Sequence, residues 1–178
     1  MTLVRTHVEV YLFRRRAARL EFLSLRRSPG HTLPGAWQPV TGKVQLLERA
    51  YEAAAREVLE ETGLAPIRWW ALESVSIYFD ARADKLRALP LFAAEVEPDA
   101  SVLLSREHDA FRWSTAAAAG ASFVWEAQRR GLEAVRREVL DRPALAEALD
   151  ITALVRAKVK RKRSRGAAPT RAPRARKR

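Results

Sequence analysis

The segment that most restricts what this chain can become is Leu47–Thr62, rich in Ala, Glu, Leu and Arg and followed by Gly63. It predicts one helix closed by a left-handed glycine. With Glu57 at zero on a wheel of 100° per residue, Glu61 falls at about 40° and Glu60 at about 300°, over Ala50, Ala53 and Ala54. Tyr51, Ala55, Val58, Leu59 and Thr62 gather on the other side, at about 100–200°, as the face expected to be anchored. Three carboxylates within one turn repel one another and, near a helix C-terminus, oppose the macrodipole. A cation relieves both problems, and an oxygen-only ligand set suits Mg²⁺, with Mn²⁺ as the alternative. The bland reading is a solvated acidic face on which Arg56 pairs with Glu60 or Glu52 at helical spacing. The helix by itself leaves both readings open.

The rest of the chain supplies the partners such a helix needs. Thr6–Phe13 and Leu20–Leu25 read as strands, and Ser28–Gly35, with two prolines and two glycines, as a loop. Trp37–Thr41 is a short strand ending at Gly42, and Ile67–Phe79 and Leu89–Val96 are strands separated by a charged loop. Ala110–Trp113 is one more short strand. Phe123–Leu140 predicts a second amphipathic helix and Pro143–Val155 a third. Together they predict an α/β fold, a mixed β-sheet with helices packed on it.

Charge is unevenly spread. The chain has 33 basic and 21 acidic residues, and twelve of the basic ones lie between Arg156 and Arg178, where there is no Asp or Glu. Residues 1–155 are therefore formally neutral, and we take them as the domain and 156–178 as a basic appendage, disordered from Lys158 onward. Such a tail either solvates the protein or associates weakly and nonspecifically with nucleic acid. It lacks the interleaved aromatics of a single-strand reader and the amphipathicity of a membrane-surface helix. No apolar run is long enough for a membrane span, the start is unlike a secretory signal, and there are no cysteines, all as expected of a cytoplasmic protein.

Spacing around the helix decides between the two readings. Gly42, five residues, Glu48, seven residues, then Arg56-Glu57-Val58-Leu59-Glu60-Glu61-Thr62-Gly63-Leu64 resembles the Nudix hydrolase box at every defined position. A chance match is on the order of 10⁻⁶ at ordinary residue abundances. The resemblance implies the Nudix α/β/α sandwich over roughly residues 3–142, with Glu57, Glu60 and Glu61 binding divalent cations. One of these, or a nearby acid, would deprotonate the attacking water. Glu48 and Arg56 would support that shell, and Gly42 would let the backbone come close to the metal. Lys43–Leu47 lacks the glycine many family members carry before the first box glutamate, and Leu47 is open to extending the helix backward.

Trp37-Gln38-Pro39-Val40-Thr41-Gly42 resembles the lead of the dihydroneopterin triphosphate pyrophosphatase and dATP pyrophosphohydrolase branch. So do Arg26-Arg27 and Glu107-His108-Asp109-Ala110-Phe111-Arg112-Trp113. That likeness implies Glu107 as a carboxylate ligand or base outside the box, and Arg5, Arg26 and Thr41 as groups holding a small phosphorylated substrate. It implies a dATP-like nucleoside or pterin triphosphate cleaved to the monophosphate and pyrophosphate. An RNA 5′-end pyrophosphohydrolase and a non-catalytic nucleotide- or nucleic-acid-binding module are the alternatives. Trp37, Trp69, Trp70, Trp113 and Trp125 are expected in the core. His7, His31 and His108 form no recognisable catalytic pattern and are assigned no chemistry.

Overall fold

The computed structural model describes residues 3–158, so the expectations for the tail beyond Lys158 lie outside it. In chain order the elements are β1 (Leu3–Arg5), β2 (His7–Arg16), β3 (Arg19–Arg27), β4 (Trp37–Gln38), β5 (Val40–Lys43) and α1 (Ala50–Thr62). They continue with β6 (Arg68–Asp80), β7 (Lys85–Glu95), β8 (His108–Ser114), α2 (Ala116–Ser122), α3 (Glu126–Val135), a π-helical turn (Arg136–Leu140) and α4 (Pro143–Leu149).

Hydrophobic alternation on β2 shows how the layers arise. Val8, Val10 and Leu12 point into a core shared with Ala53, Ala54 and Val58 of α1. Tyr11 and Phe13, one residue out of phase, point into a second core with Leu132, Ala134 and Val135 of α3. One sheet is thus sandwiched between α1 and the group α2–α4. The sheet is mixed: β7 runs parallel to β1 and β2, and the other pairings are antiparallel. The expected strand Trp37–Thr41 is broken at Pro39, which has no N–H to donate. Before the break β4 pairs with β3; after it β5 pairs with β2.

Several boundaries differ from expectation. Helix α1 begins at Ala50, not Leu47: Leu47 has φ +63° and is 96% exposed, so it closes a loop in the left-handed conformation glycine would otherwise supply. Gly63 is the left-handed cap, as expected. The anchored face of α1 is rotated from the one expected from the wheel. Ala53 and Ala54, beneath the carboxylates, are fully buried, whereas Leu59 is 60% exposed. Small alanines let the helix settle onto the sheet on the side that carries Glu61.

The expected helix Phe123–Leu140 starts at Glu126, because Phe123 is extended and bridges Trp37. Trp125, just before α3, is exposed, not in the core; Trp69 and Trp70 are buried as expected. The expected helix Pro143–Val155 breaks at Asp150, which pairs with Trp70 and accepts the Thr152 N–H. A further helical segment, 152–158, follows. It buries Val155, and Arg156 donates to the Ile67 carbonyl at 2.8 Å while Lys158 meets Glu52 at 2.8 Å. Among the described residues no helix is long and apolar enough to cross a membrane.

Candidate active site

Helix α1 lies against β5 so closely that a Cβ on Gly42 would fall on Cγ and Cδ of Glu57. The glycine therefore makes room for a carboxylate. Arg56 organises the groups around it. Its Nε and one terminal nitrogen bond both oxygens of Glu48 at 2.9 and 3.0 Å, and the other terminal nitrogen reaches Glu57 at 2.7 Å and Glu60 at 2.9 Å. It also donates to the Lys43 carbonyl at 2.9 Å, and Glu48 accepts the Gln45 N–H at 2.9 Å. These partners raise the guanidinium's affinity for its proton, Glu48 first among them. One cation thus ties the loop 43–48 to the helix.

Two more contacts bring in β8. Leu103 N donates to Thr62 O and Ser105 N to Glu61 O, so the loop before β8 is laced to the end of α1. Ser28 N donates to Glu107 O. Glu107 consequently stands exposed at the mouth, close enough to Glu57 and Glu61 to raise both of their pKa values.

Glu61 is the extreme group. It is 4% exposed, and one oxygen, Oε2, has no hydrogen-bond partner. Burial, then Glu57 and Glu107, push its pKa up to about 9, against relief from Arg27 and the Thr41 backbone N–H. Glu57 is also raised, by burial first. Glu60 projects to solvent, its side chain 57% exposed and paired with Arg56.

Carboxylates held in positions that disfavour their charge fit a divalent cation. Among the described residues no three acidic or imidazole groups already converge as a closed cage. Mg²⁺ does not require one, because it keeps waters and binds through one or two carboxylates and substrate phosphates. An unpaired, buried Glu61 oxygen beside Glu57 and Glu107 meets that requirement.

The expected substrate groups divide differently. Thr41 is at the site, but its backbone N–H serves Glu61 and its hydroxyl accepts from Gln38 at 3.2 Å. Arg26 is turned to the other face of β3, bonded to Asp109 at 2.7 Å and 5.9 Å from the Trp37 ring, which Arg112 also covers at 4.5 Å. Of Arg5, the backbone is placed in β1; its side chain lies outside the described residues. Two residues at the site, Arg27 and His108, were not expected from the sequence. Arg27 shares the phase of Leu23 and Leu25, both facing α1, so alternation along β3 carried the signal. His108 is buried, 4.0 Å from Glu61 Oε2 through Nδ1. Burial and Arg27 lower its pKa to about 4.

A cleft of about 630 Å³ opens on the α3 face, lined among others by Ser74, Ile77, Leu91, Arg130 and Arg137. Leu91 in its lining pairs across strands with Glu9, and Glu9 with Thr41, so the cleft lies across the sheet from α1, two strands from β5. Glu9 is buried, accepts the Tyr11 hydroxyl at 2.8 Å, and has its pKa raised by burial.

Comparison with known proteins agrees with this geometry. The NUDIX domain family profile matches residues 4–137, from β1 into the π-helical turn. The chain belongs to the Nudix family. This Nudix chain is 36% identical over 107 residues to an octanoyltransferase of Myxococcus xanthus and 37% identical over 98 residues to the asymmetrical bis(5′-nucleosyl)-tetraphosphatase of Rattus norvegicus. Those stretches cover 60% and 53% of this chain but 29% and 63% of the relatives. Its fold is that of the E. coli dihydroneopterin triphosphate pyrophosphohydrolase, with TM-score 0.59, 24% identity, and 71% and 91% of the two chains covered.

Proposed function

We propose that this Nudix domain is a Mg²⁺- or Mn²⁺-dependent hydrolase of phosphoric anhydride bonds, acting on a dATP-like nucleoside or a pterin triphosphate to give the monophosphate and pyrophosphate. The observation that carries the proposal is the buried Glu61, one oxygen of which has no hydrogen-bond partner, with Glu57 and Glu107 near it; burial first, and then these neighbouring charges, raise its pKa. When bound, a divalent ion neutralises phosphate oxygens and makes an attacking water more acidic. Glu57 and Glu61 are the residues that would hold it, with Glu107 at the mouth and Glu60 at the outer edge. Arg56 keeps Glu57 from swinging away, Thr41 N–H fixes one side of Glu61, and Gly42 leaves the space Glu57 occupies. The triphosphate assignment is supported by the lead Trp37–Gly42.

A second reading, a dinucleoside polyphosphate as substrate, is favoured by the likeness to the rat tetraphosphatase. A pyrophosphate- and phosphate-release screen with Mg²⁺ separates them. It should include dATP, other nucleoside triphosphates, dihydroneopterin triphosphate, dinucleoside tetraphosphates and 5′-triphosphate RNA. Turnover of one small triphosphate well above the rest is expected. Preference for the dinucleotide would move the assignment to the second reading, preference for RNA to an RNA 5′-end role, and no turnover by folded, metal-loaded protein would leave a binding module.

A further inference from the structure

Four buried polar atoms without hydrogen-bond partners come from three residues around one place: Arg27 Nε, His108 Nδ1, His108 Nε2 and Glu61 Oε2. Such atoms are uncommon in folded proteins, and each leaves a donor or acceptor unmatched. Here their donor and acceptor types are complementary. Arg27 Nε can only donate, a carboxylate oxygen can accept, and a neutral imidazole has one nitrogen of each kind.

The backbone explains how His108 comes to lie beside Arg27 and near Glu61. Strand β8 pairs with β3 as Leu25 with Phe111 and Arg26 with Ala110, and then shifts register so that Arg27 meets His108. Asp109 is the extra residue of this bulge. Plain alternation would place Asp109 on the α1 face with Phe111 and Trp113, and His108 on the opposite face. The bulge reverses them, as bulges beside functional sites commonly do. Asp109 is left to bond Arg26, and His108 points toward Glu61.

We infer that His108 is a positioning residue: it donates Nδ1–H to Glu61 Oε2, accepts Arg27 Nε–H at Nε2, and so fixes the carboxylate that faces the cation. The inference rests on the reading of Glu61 as a metal ligand. At 4.0 Å the His108–Glu61 pair is longer than a hydrogen bond, and such contacts tighten when a site is loaded. With the Thr41 N–H on the same carboxylate, Glu61 is then held by two groups and keeps lone pairs for the ion. A residue that merely filled space would need neither nitrogen.

Two measurements on the full-length chain test this. Long-range ¹H–¹⁵N NMR at neutral pH with Mg²⁺ present should show His108 in the Nδ1–H tautomer; an Nε2–H tautomer would overturn the assignment. Mn²⁺ titration followed by EPR should show affinity reduced about 10- to 100-fold in His108→Leu, the range for lost outer-shell partners of ligands. His108→Asn, whose amide reaches the Nδ1 position, should recover most of that loss. Equal Mn²⁺ binding by wild type and the folded leucine variant, or no recovery with asparagine, would defeat the role of His108 alone. If the leucine variant does not fold, asparagine binding near wild type together with the Nδ1–H tautomer supports the role, and failure of either refutes it. Absence of Mn²⁺ binding by the wild type would instead defeat the metal reading of Glu61, and this inference with it.

Discussion

Replacing Gly42 with alanine adds a single methyl group where Cγ and Cδ of Glu57 now lie. The backbone on either side cannot give way easily, because Gly42 is registered against Val8 in the β2–β5 ladder and α1 is seated on a buried face of Ala53, Ala54 and Val58. The Glu57 side chain must therefore move, by roughly an ångström or more to regain ordinary contact distances. Displacing a reacting group by about 1 Å costs about 10²-fold in rate. That corresponds to about 2.7 kcal/mol of barrier. Stability should fall much less, by about 1 kcal/mol, since the move breaks a half-buried hydrogen bond between Glu57 and Arg56 and displaces the end of a flexible chain. Steady-state kinetics on the substrate found in the release screen, beside a thermal melt, measure both quantities. A Gly42→Ala protein with kcat within about threefold of wild type, less than about 1 kcal/mol of barrier, would refute the placement of Glu57 in the reaction.

The raised pKa of Glu61 makes the metal-free fold pH-dependent. Its proton is bound more tightly folded than unfolded, so this contribution to stability is present below about pH 4.5 and is lost as pH rises toward about 9. Melting temperature in EDTA should fall across that window, and Mg²⁺, which binds the ionised form, should flatten the slope; parallel curves would contradict this. Glu61→Gln should lower kcat by about 10²–10⁴, while raising the melting temperature in EDTA at pH 8. Leu47→Gly should leave stability unchanged or raise it by up to about 1 kcal/mol, since the left-handed strain relieved exceeds or equals the added chain entropy; a marked fall in the melt would show that Leu47 is packed. Removing residues 159–178 should abolish salt-sensitive binding to nucleic acid while leaving turnover of small substrates intact, measured by filter binding and pyrophosphate release.

The legible parts of this protein were those written in local spacing. Gly63 is the left-handed cap its place after the helix implied, whereas the spacing of Gly42, Glu48 and Arg56 implied a metal shell, and the structure adds what it did not name: Gly42 leaves space for Glu57, and Glu48 pairs with Arg56. The fold class followed from strand and helix periods. What could not be read depends on pairing between distant strands. Arg26 and Arg27 look equivalent in sequence, yet their phase on β3 sends the first to Asp109 and the second toward Glu61. The shift at Asp109 is a register event, invisible without the partner strand, and it hid His108. Leu47 deceived for another reason: a good helix former was placed where the loop required a positive φ, and the loop's hydrogen bonds overrode its propensity.

The knot at Arg56 has a consequence for how this region loses order. The segment 43–48 carries Leu46 and Leu47 at its tip, 93% and 96% exposed, so little apolar surface holds that tip. One guanidinium of α1 holds it at two places, Glu48 and the Lys43 carbonyl. Val44 packs on the core and bonds Thr6, but beyond it cohesion is polar, while the helix beneath is held by an apolar layer. Neutralising that one charge should release the loop as a local opening, seen as fast amide exchange over 45–48, with the amides of Ala53 to Val58 still exchanging at the pace of the whole domain.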